Sequence, residues 1–467
     1  MIDNYIKNHK DEMIQNLQEL IQIPSVYAKS KNPLMPFGEN ANKALEYMLD
    51  LGHKLGFRTK NVDGYCGYIE FGEGEEMLGI IGHLDVVPSG DNWTYPPFLA
   101  TIFDNKIYGR GAIDDKGPVM ASLYAMKYVL DNCKVNKRVR LILGLNEEND
   151  WKCIHYYKAH EESPAIGFSP DADFPCIYAE KAILTPYFSI DYSQYTNAPI
   201  SIEEIDCNHN AINVVPKICS TILKIDSSIL IEDLINILKK IIDEYDFEID
   251  IYKLNDEKIK LTSHGVGAHA AHPDLGVNAI SRLIVVLDTL FKKYDVSIPL
   301  FDFFTKYIHT EYDGKSLSMN YKDESGNLTL NVGKILFENN ILKIGLNLRI
   351  PIHTSIKEIE STFLTCLAHY PEIQYKKVDS KPALYIPKDN YLVKTLCDIY
   401  NEEANSYLEP IAIGGATYAR AFENCVSFGA NLPGQKDMCH QTDEFISIDN
   451  LLFACRVYAK AICELGK

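Results

Sequence analysis

At 467 residues the chain exceeds the size at which one hydrophobic core keeps growing, so two domains are expected. Its 46% hydrophobic and 24% charged residues are those of an ordinary soluble globular protein. A net charge of −18 with no Lys/Arg-rich run excludes a nucleic-acid partner, and the acidity is read as solubility.

The N-terminal stretch is rich in charged and amide side chains without an apolar core, so no signal peptide is expected. No apolar run reaches the ~20 residues that span a bilayer, so no membrane association is expected. The twelve cysteines form no CxxC pair and read as reduced, mostly buried thiols of a cytoplasmic protein.

In chain order, Ile6, Met13, Leu17, Leu20 and Ile21 fall on one helical face, and Pro24 ends that helix. Ala41, Leu45, Met48, Leu49 and Leu55 mark a second amphipathic helix, and Tyr65 to Phe71 reads as a strand. Met77 to Ile81 carries no polar side chain, as in a buried strand of an α/β sheet. The run ends in Gly82, His83 and Asp85, and Pro88 blocks further pairing. Lys106 to Tyr108 is a short strand before Gly109-Arg-Gly-Ala-Ile-Asp-Asp-Lys-Gly117. Val119, Leu123, Met126, Val129 and Leu130 then predict an amphipathic helix with Pro118 in its first turn. Arg138 to Leu145 is another strand, closed by Asn146-Glu147-Glu148.

The character changes near residue 180. Up to about residue 380 the pattern is long strands with two or three helices and no paired acidic cluster at a strand end. Leu328 to Phe337 and Ile341 to Ile350 predict a hairpin around Asn339-Asn340. After Pro382 a helix starts near Asp389, followed by Gly414-Gly415 and Met438-Cys-His-Gln-Thr-Asp-Glu444. The expected architecture is α/β in two domains. A catalytic α/β/α domain with a central mixed sheet is formed by residues 1–180 and 381–467, and an α+β lid domain, 181–380, is inserted as two lid-like halves.

Four polar clusters fall on the catalytic half: His83 with Asp85, Asp114 with Asp115, Glu147 and Glu148 with Asp171, and His440. In open α/β sheets the active crevice lies at the carboxyl ends of strands. A two-metal site needs neutral imidazoles and carboxylates, with one oxygen ligand shared between the ions. An Asp of the 114–115 pair, such as Asp114, suits that shared position, since its two oxygens can each face one metal. Adjacent Glu147 and Glu148 repel, and the repulsion is compensated where one ligates a cation and the other holds a water.

Taken together, His83-Leu-Asp85-Val-Val-Pro88, Gly109 to Gly117, Asn146-Glu-Glu148, Ser169-Pro-Asp171-Ala-Asp173 and His440 resemble the signature set of the dinuclear zinc exopeptidase and deacylase family. That family includes glutamate carboxypeptidases, aminoacylases and bacterial dipeptidases. Trp151, Phe168-Ser-Pro-Asp171, Leu384-Tyr-Ile-Pro-Lys388 and Gly414-Gly-Ala-Thr-Tyr-Ala-Arg420 bring the likeness closer to the PepV-type dipeptidases.

The resemblance implies two divalent ions, zinc first with manganese or cobalt as alternatives. His83 and Asp171 would hold one, Glu148 and His440 the other, and Asp114 would bridge. Asp85 would orient His83, and Glu147 would be the general base. In Gly265-Val-Gly-Ala-His269-Ala-Ala-His-Pro273, His269 would stabilise the oxyanion, while His272 is read as a structural residue of its turn. Asn213, Arg349, Gly414 and Gly415 match positions that bind substrate, and an Arg fork suits a substrate carboxylate. The implied activity is hydrolysis of small dipeptides with free termini, with N-acyl-amino-acid deacylation or desuccinylation as the alternative. Retained ligands, base and lid His speak against a catalytically inactive scaffold. Two departures touch substrate detail: Ala416 replaces a third Gly, and His209-Asn-Ala-Ile-Asn213 lacks the glycines common before that Asn. The doubled length of the insertion implies a monomer, with His269 acting on the metals of its own chain.

Overall fold

The apolar run at Met77 becomes the strand Met77–His83, buried at every position. In the computed structural model, which describes residues 2–207 and 211–467, it lies inside a mixed sheet. Its neighbours are Arg138–Gly144 and Ile166–Ser169, both parallel to it. Cys66–Phe71 and Arg58–Val62 extend the sheet antiparallel on one side. On the other side Cys425–Ser427 adds a further parallel strand. Parallel strands covered on both faces read as continuous apolar runs, and Leu78, Ile80, Ile81, Leu141 and Ile142 are fully buried. Each such side chain contributes about 1.5–3 kcal/mol over an exposed position.

The register shows what covers each face. Gly67 and Gly82 both pair with Leu143 and so point to one side of the sheet. There a Cβ on Gly67 would meet Leu45 and Leu49 of helix Glu39–Lys54, and one on Gly82 would meet Val119 of helix Lys116–Asn132. Glu70 and Arg140, a cross-strand pair, point to the other side. Arg140 donates to Glu70 at 2.6 Å and to the Tyr157 hydroxyl, on helix Lys152–His160, at 2.8 Å. This is an α/β/α layering. Helix Ile2–Ile21 buries Ile6, Met13, Leu17, Leu20 and Ile21. The buried Lys116 ammonium binds the Leu20 and Ile23 carbonyls at the end of that helix, and burial pulls its pKa down to about 7.

Three sequence expectations change. Helix Lys116–Asn132 is buried on most of its surface, yet Leu130 is exposed. Cys133 and Cys463 form a disulfide, because helices Lys116–Asn132 and Ile448–Leu465 pack together and end side by side. The other ten cysteines are free, eight of them buried. Among its described residues, the segment 181–380 holds four α-helices: Ile231–Tyr245, Ala279–Lys293, Pro299–Tyr307 and Ile356–Leu367.

The chain divides into two compact units: Met1–Ala179 with Leu384–Ile411 and Ala416–Lys467, and Glu180–Ala383 with Ala412–Gly415. The second unit contains two four-stranded antiparallel sheets. One runs Thr329–Glu338, Ile341–Ile350, Ala182–Asp191, Gln374–Lys381; the other runs Ile200–Asp206, Ile218–Ile225, Lys258–His264, Ile249–Lys253. A single apolar core runs through both. The hairpin turns at Asn339 and Asn340, both at positive φ (51° and 57°), the conformation that a tight two-residue turn needs.

Candidate metal centre

Three neighbouring parallel strands end at one edge of the sheet and carry the polar residues there. His83 closes Met77–His83, where it pairs with Gly144. Glu147 and Glu148 follow Gly144 by three and four residues, and Asp171 follows Ser169 by two. Asp114 comes from the loop before helix Lys116–Asn132, and His440 from the loop before the strand Phe445–Ser447.

These residues form two groups whose ligand atoms lie within 4.8 Å of one another: His83, Asp114 and Asp171, and Asp114, Glu148 and His440. Asp114 belongs to both. Its Oδ1 is 3.0 Å from His83 Nε2, and its Oδ2 is 3.1 Å from His440 Nε2. Asp171 Oδ2 lies 3.5 Å from the same His83 nitrogen, and Glu148 Oε1 lies 3.0 Å from that of His440. Asp115 is turned away, accepting the His83 backbone N–H at 3.2 Å.

The electrostatics fit a pair of cations. Burial and the charge of Asp114 push Asp171 up to about 7, and the same causes raise Glu148. Burial opposes ionisation of Asp114 too, but hydrogen bonds from His440 and His83 win and hold it below the usual carboxylate range. Burial also opposes charge on His440, yet Asp114 and Glu148 drive it up to about 11, and Asp114 and Asp171 raise His83 likewise. Three carboxylates, one buried and two partly buried, thus crowd against two imidazoles. Nitrogen and oxygen donors that crowd negative charge in this way suit divalent ions, whose charge inverts the local preference for protonation.

Outer contacts fix the donors. His83 Nδ1 lies 2.9 Å from the Asp85 backbone carbonyl and 3.5 Å from its carboxylate. That carboxylate mainly accepts the backbone N–H groups of Glu147 and Glu148, at 3.0 and 3.1 Å. Asp85 therefore orients the imidazole through its main chain and the Glu147-Glu148 turn through its side chain. Glu147 is half-buried and belongs to neither ligand group.

Arg110 and Glu444 are site residues that the sequence reading misses. They form a buried ion pair at 2.7 Å between the loops that carry Asp114 and His440. Arg110 lies inside the recognised Gly-Arg-Gly run, and Glu444 stands four residues after His440, but nothing in the sequence pairs them.

The remaining site expectations fall in the second unit. The Ala270 N–H binds the Asn213 carbonyl at 2.9 Å, and Val214 and His269 form an isolated β-bridge. Asn331, buried, donates to the carbonyls of Ile212 and Val214 and so fixes this turn. His269 is exposed, and His272 donates its backbone N–H to the His269 carbonyl. Arg349 donates to the Gly414 carbonyl at 2.9 Å and to Asn347 at 3.0 Å, and a Cβ on Gly414 would reach within 2.8 Å of Ala271. Asn213, His269, Arg349 and Gly414 are thus brought to one end of this unit, with Gly415 next in the chain. His209 lies outside the described residues.

A third group, Asp323, Glu324 and His353, also lies in this unit, contrary to the expectation of no paired acidic cluster there. The strand it closes, Lys322–Asp323, is two residues long, too short to show as a strand in the sequence. It is more exposed, with Glu324 paired to His353 at 2.9 Å and Asp323 accepting from Ser325 and His353.

The chain is similar to known proteins over nearly its whole length. A Bacillus subtilis (strain 168) protein named "Putative dipeptidase YtjP" is 39% identical over 462 residues, 98% of each chain. A Staphylococcus aureus (strain N315) protein of the same description is 33% identical over 480 residues, again 98% of each. Among solved structures, human carnosine dipeptidase 1 matches with a TM-score of 0.61 at 15% identity, covering 100% of this chain and 98% of that one. The di-peptidase Dug1p of Saccharomyces cerevisiae also matches at 0.61, with 13% identity and the same coverage, so both share the fold. Residues 79–464 match peptidase family M20/M25/M40, and the chain belongs to that family.

Proposed function

We propose that this peptidase hydrolyses dipeptides with free amino and carboxyl termini at a dinuclear metal centre, zinc being the first choice of ion. The observation that carries the reading is Asp114, whose two carboxylate oxygens face two different imidazoles, each with a further carboxylate beside it. His83 and Asp171 would hold one ion, Glu148 and His440 the other, and Asp114 both. Manganese and cobalt accept the same donors. Bound there, the ions supply Lewis-acid polarisation of the scissile carbonyl and the attacking water.

The chain's own residues do the rest. Glu147 takes the proton of the attacking water and returns it to the leaving amine. Asp85 keeps Glu147 beside the ligand Glu148 by holding both backbone N–H groups. His269 donates a hydrogen bond to the developing oxyanion. The Arg349 fork binds the substrate carboxylate, with Asn213, Gly414 and Gly415 shaping the place of its terminus. Residues 181–380 act as the lid, in two halves. The full-length likeness to proteins described as dipeptidases supports the substrate class.

We further propose a cytoplasmic monomer. Ten of the twelve cysteines are free, which fits a reducing compartment although the Cys133–Cys463 disulfide is an exception to it, and no helix among the described residues is long and apolar enough to cross a membrane. Turnover of unblocked dipeptides should exceed that of N-acetyl and N-succinyl amino acids. A preference for the acylated compounds would replace this reading with a deacylase, and no hydrolysis by metal-loaded protein would leave a binding scaffold. Mixing inactive Glu147→Gln and His269→Ala chains should restore no activity; recovery would show lids exchanged between chains.

A further inference from the structure

Arg110 and Glu444 lie 334 residues apart in sequence and meet where neither is exposed to water. Glu444 Oε2 accepts from Arg110 Nη1 at 2.7 Å, while Oε1 accepts the backbone N–H groups of Ile113 at 3.0 Å and Asp114 at 3.3 Å. Arg110 Nη2 donates to the carbonyls of Ser89 at 3.2 Å and His440 at 3.3 Å. One ion pair therefore grips the main chain of Asp114 and the main chain of His440. The adjoining strands reinforce the tie, since Phe445 pairs with Tyr108 and the Gly109 N–H binds the Glu444 carbonyl.

Stability alone does not explain the pair. Replacing a buried ion pair by packed apolar groups is often neutral or favourable, because desolvation offsets the attraction. Here Arg110 Nε, also buried, has no hydrogen-bond partner among the described residues, so the guanidinium is not even fully satisfied. What an apolar pair cannot do is bind three loops at once. A planar fork reaches Glu444, His440 and Ser89 together, and a carboxylate reaches back to Ile113 and Asp114.

The two ligand groups differ in their need for such a tie. His83 closes one strand and Asp171 follows its parallel neighbour by two residues, so the register sets their spacing. Asp114 and His440 sit on separate loops, and outer partners of metal ligands commonly change affinity 10–100-fold when removed. Resting on the dinuclear reading, we propose that Arg110 and Glu444 are positioning residues for the Asp114–Glu148–His440 metal site, so that breaking the pair weakens this site, which has two donors on the tied loops, far more than the His83–Asp171 site, which shares only Asp114 with it.

The test uses the full chain and the metal alone. Zinc binding to metal-stripped protein is followed by equilibrium dialysis against graded chelator, beside thermal unfolding of the metal-free form. The double variant Arg110→Met/Glu444→Gln leaves no buried charge unpaired, and Arg110→Lys keeps the charge without the fork. The wild type should take up two equivalents. The double variant should hold one within about threefold of wild-type affinity and bind the second at least tenfold more weakly, with Arg110→Lys in between. Two equivalents at wild-type affinities, or equal weakening of both, would overturn the proposal. Should the double variant not fold, Arg110→Lys decides alone: selective weakening of one equivalent supports the assignment, and unchanged binding refutes it. A wild type that binds no metal would refute the dinuclear reading itself.

Discussion

The two groups around Asp114 are built by different means. His83 and Asp171 extend from strands Met77–His83 and Ile166–Ser169, whose parallel register places them side by side. Glu148, Asp114 and His440 lie on loops, and side chains hold those loops: Asp85 the first, Arg110 and Glu444 the other two. Sheet register positions a donor at the cost of the sheet alone. A loop donor depends on buried polar ties, so residues that never touch a metal should influence the second group more than the first.

Substitutions can break this contrast at several strengths. The largest effect is expected at Glu147, on the loop side but outside both ligand groups. Glu147→Gln should lower kcat by roughly 10²–10⁴-fold, the usual worth of a positioned base, with metal content unchanged. Loss of an ion on that change would make Glu147 a ligand. Asp85→Asn leaves one acceptor oxygen for two N–H groups and disturbs Glu147 and Glu148 together. A fall of about 10–100-fold in kcat/KM is expected, with thermal stability close to wild type; unaltered kinetics would mean that the turn holds itself.

Arg349→Ala lies in the other unit and probes substrate rather than metal. Charged hydrogen bonds are worth ~1.5–3 kcal/mol, so free dipeptides should lose roughly tenfold or more in kcat/KM while amidated ones change little. Equal loss on both would remove the carboxylate-binding role. The smallest change is Ser355→Ala. Ser355 and Glu358 form a reciprocal cap on helix Ile356–Leu367. Its loss should cost about 1 kcal/mol of stability and leave turnover of every substrate alone, setting the baseline for a purely structural substitution.

The same contrast explains what could be read without coordinates. Strand-end donors announce themselves, because an apolar run such as Met77 to Ile81 gives way to His83 within two residues. Ties between loops do not. Arg110 and Glu444 look like two surface charges until the strands Lys106–Tyr108 and Phe445–Ser447 pair. Cys133 and Cys463 are 330 residues apart, and only the packing of two helices makes them neighbours. The helix Pro299–Tyr307 is hard to read for its length: its buried Leu300, Phe301, Phe303 and Phe304 fall within nine residues, and so short an apolar run cannot be told from a buried strand by periodicity. The main chain's share of the work by Asp85 was also out of reach, since sequence carries no sign of which oxygen meets the imidazole.

The central claim is a centre in which two ions share Asp114. Its most direct test is to strip the protein of metal and follow dipeptide hydrolysis as zinc is returned, with bound metal measured at each step. The account predicts no turnover in the stripped protein and recovery that is complete only as the second equivalent binds. Full activity without metal, or a plateau at one equivalent with no second ion bound, would contradict it.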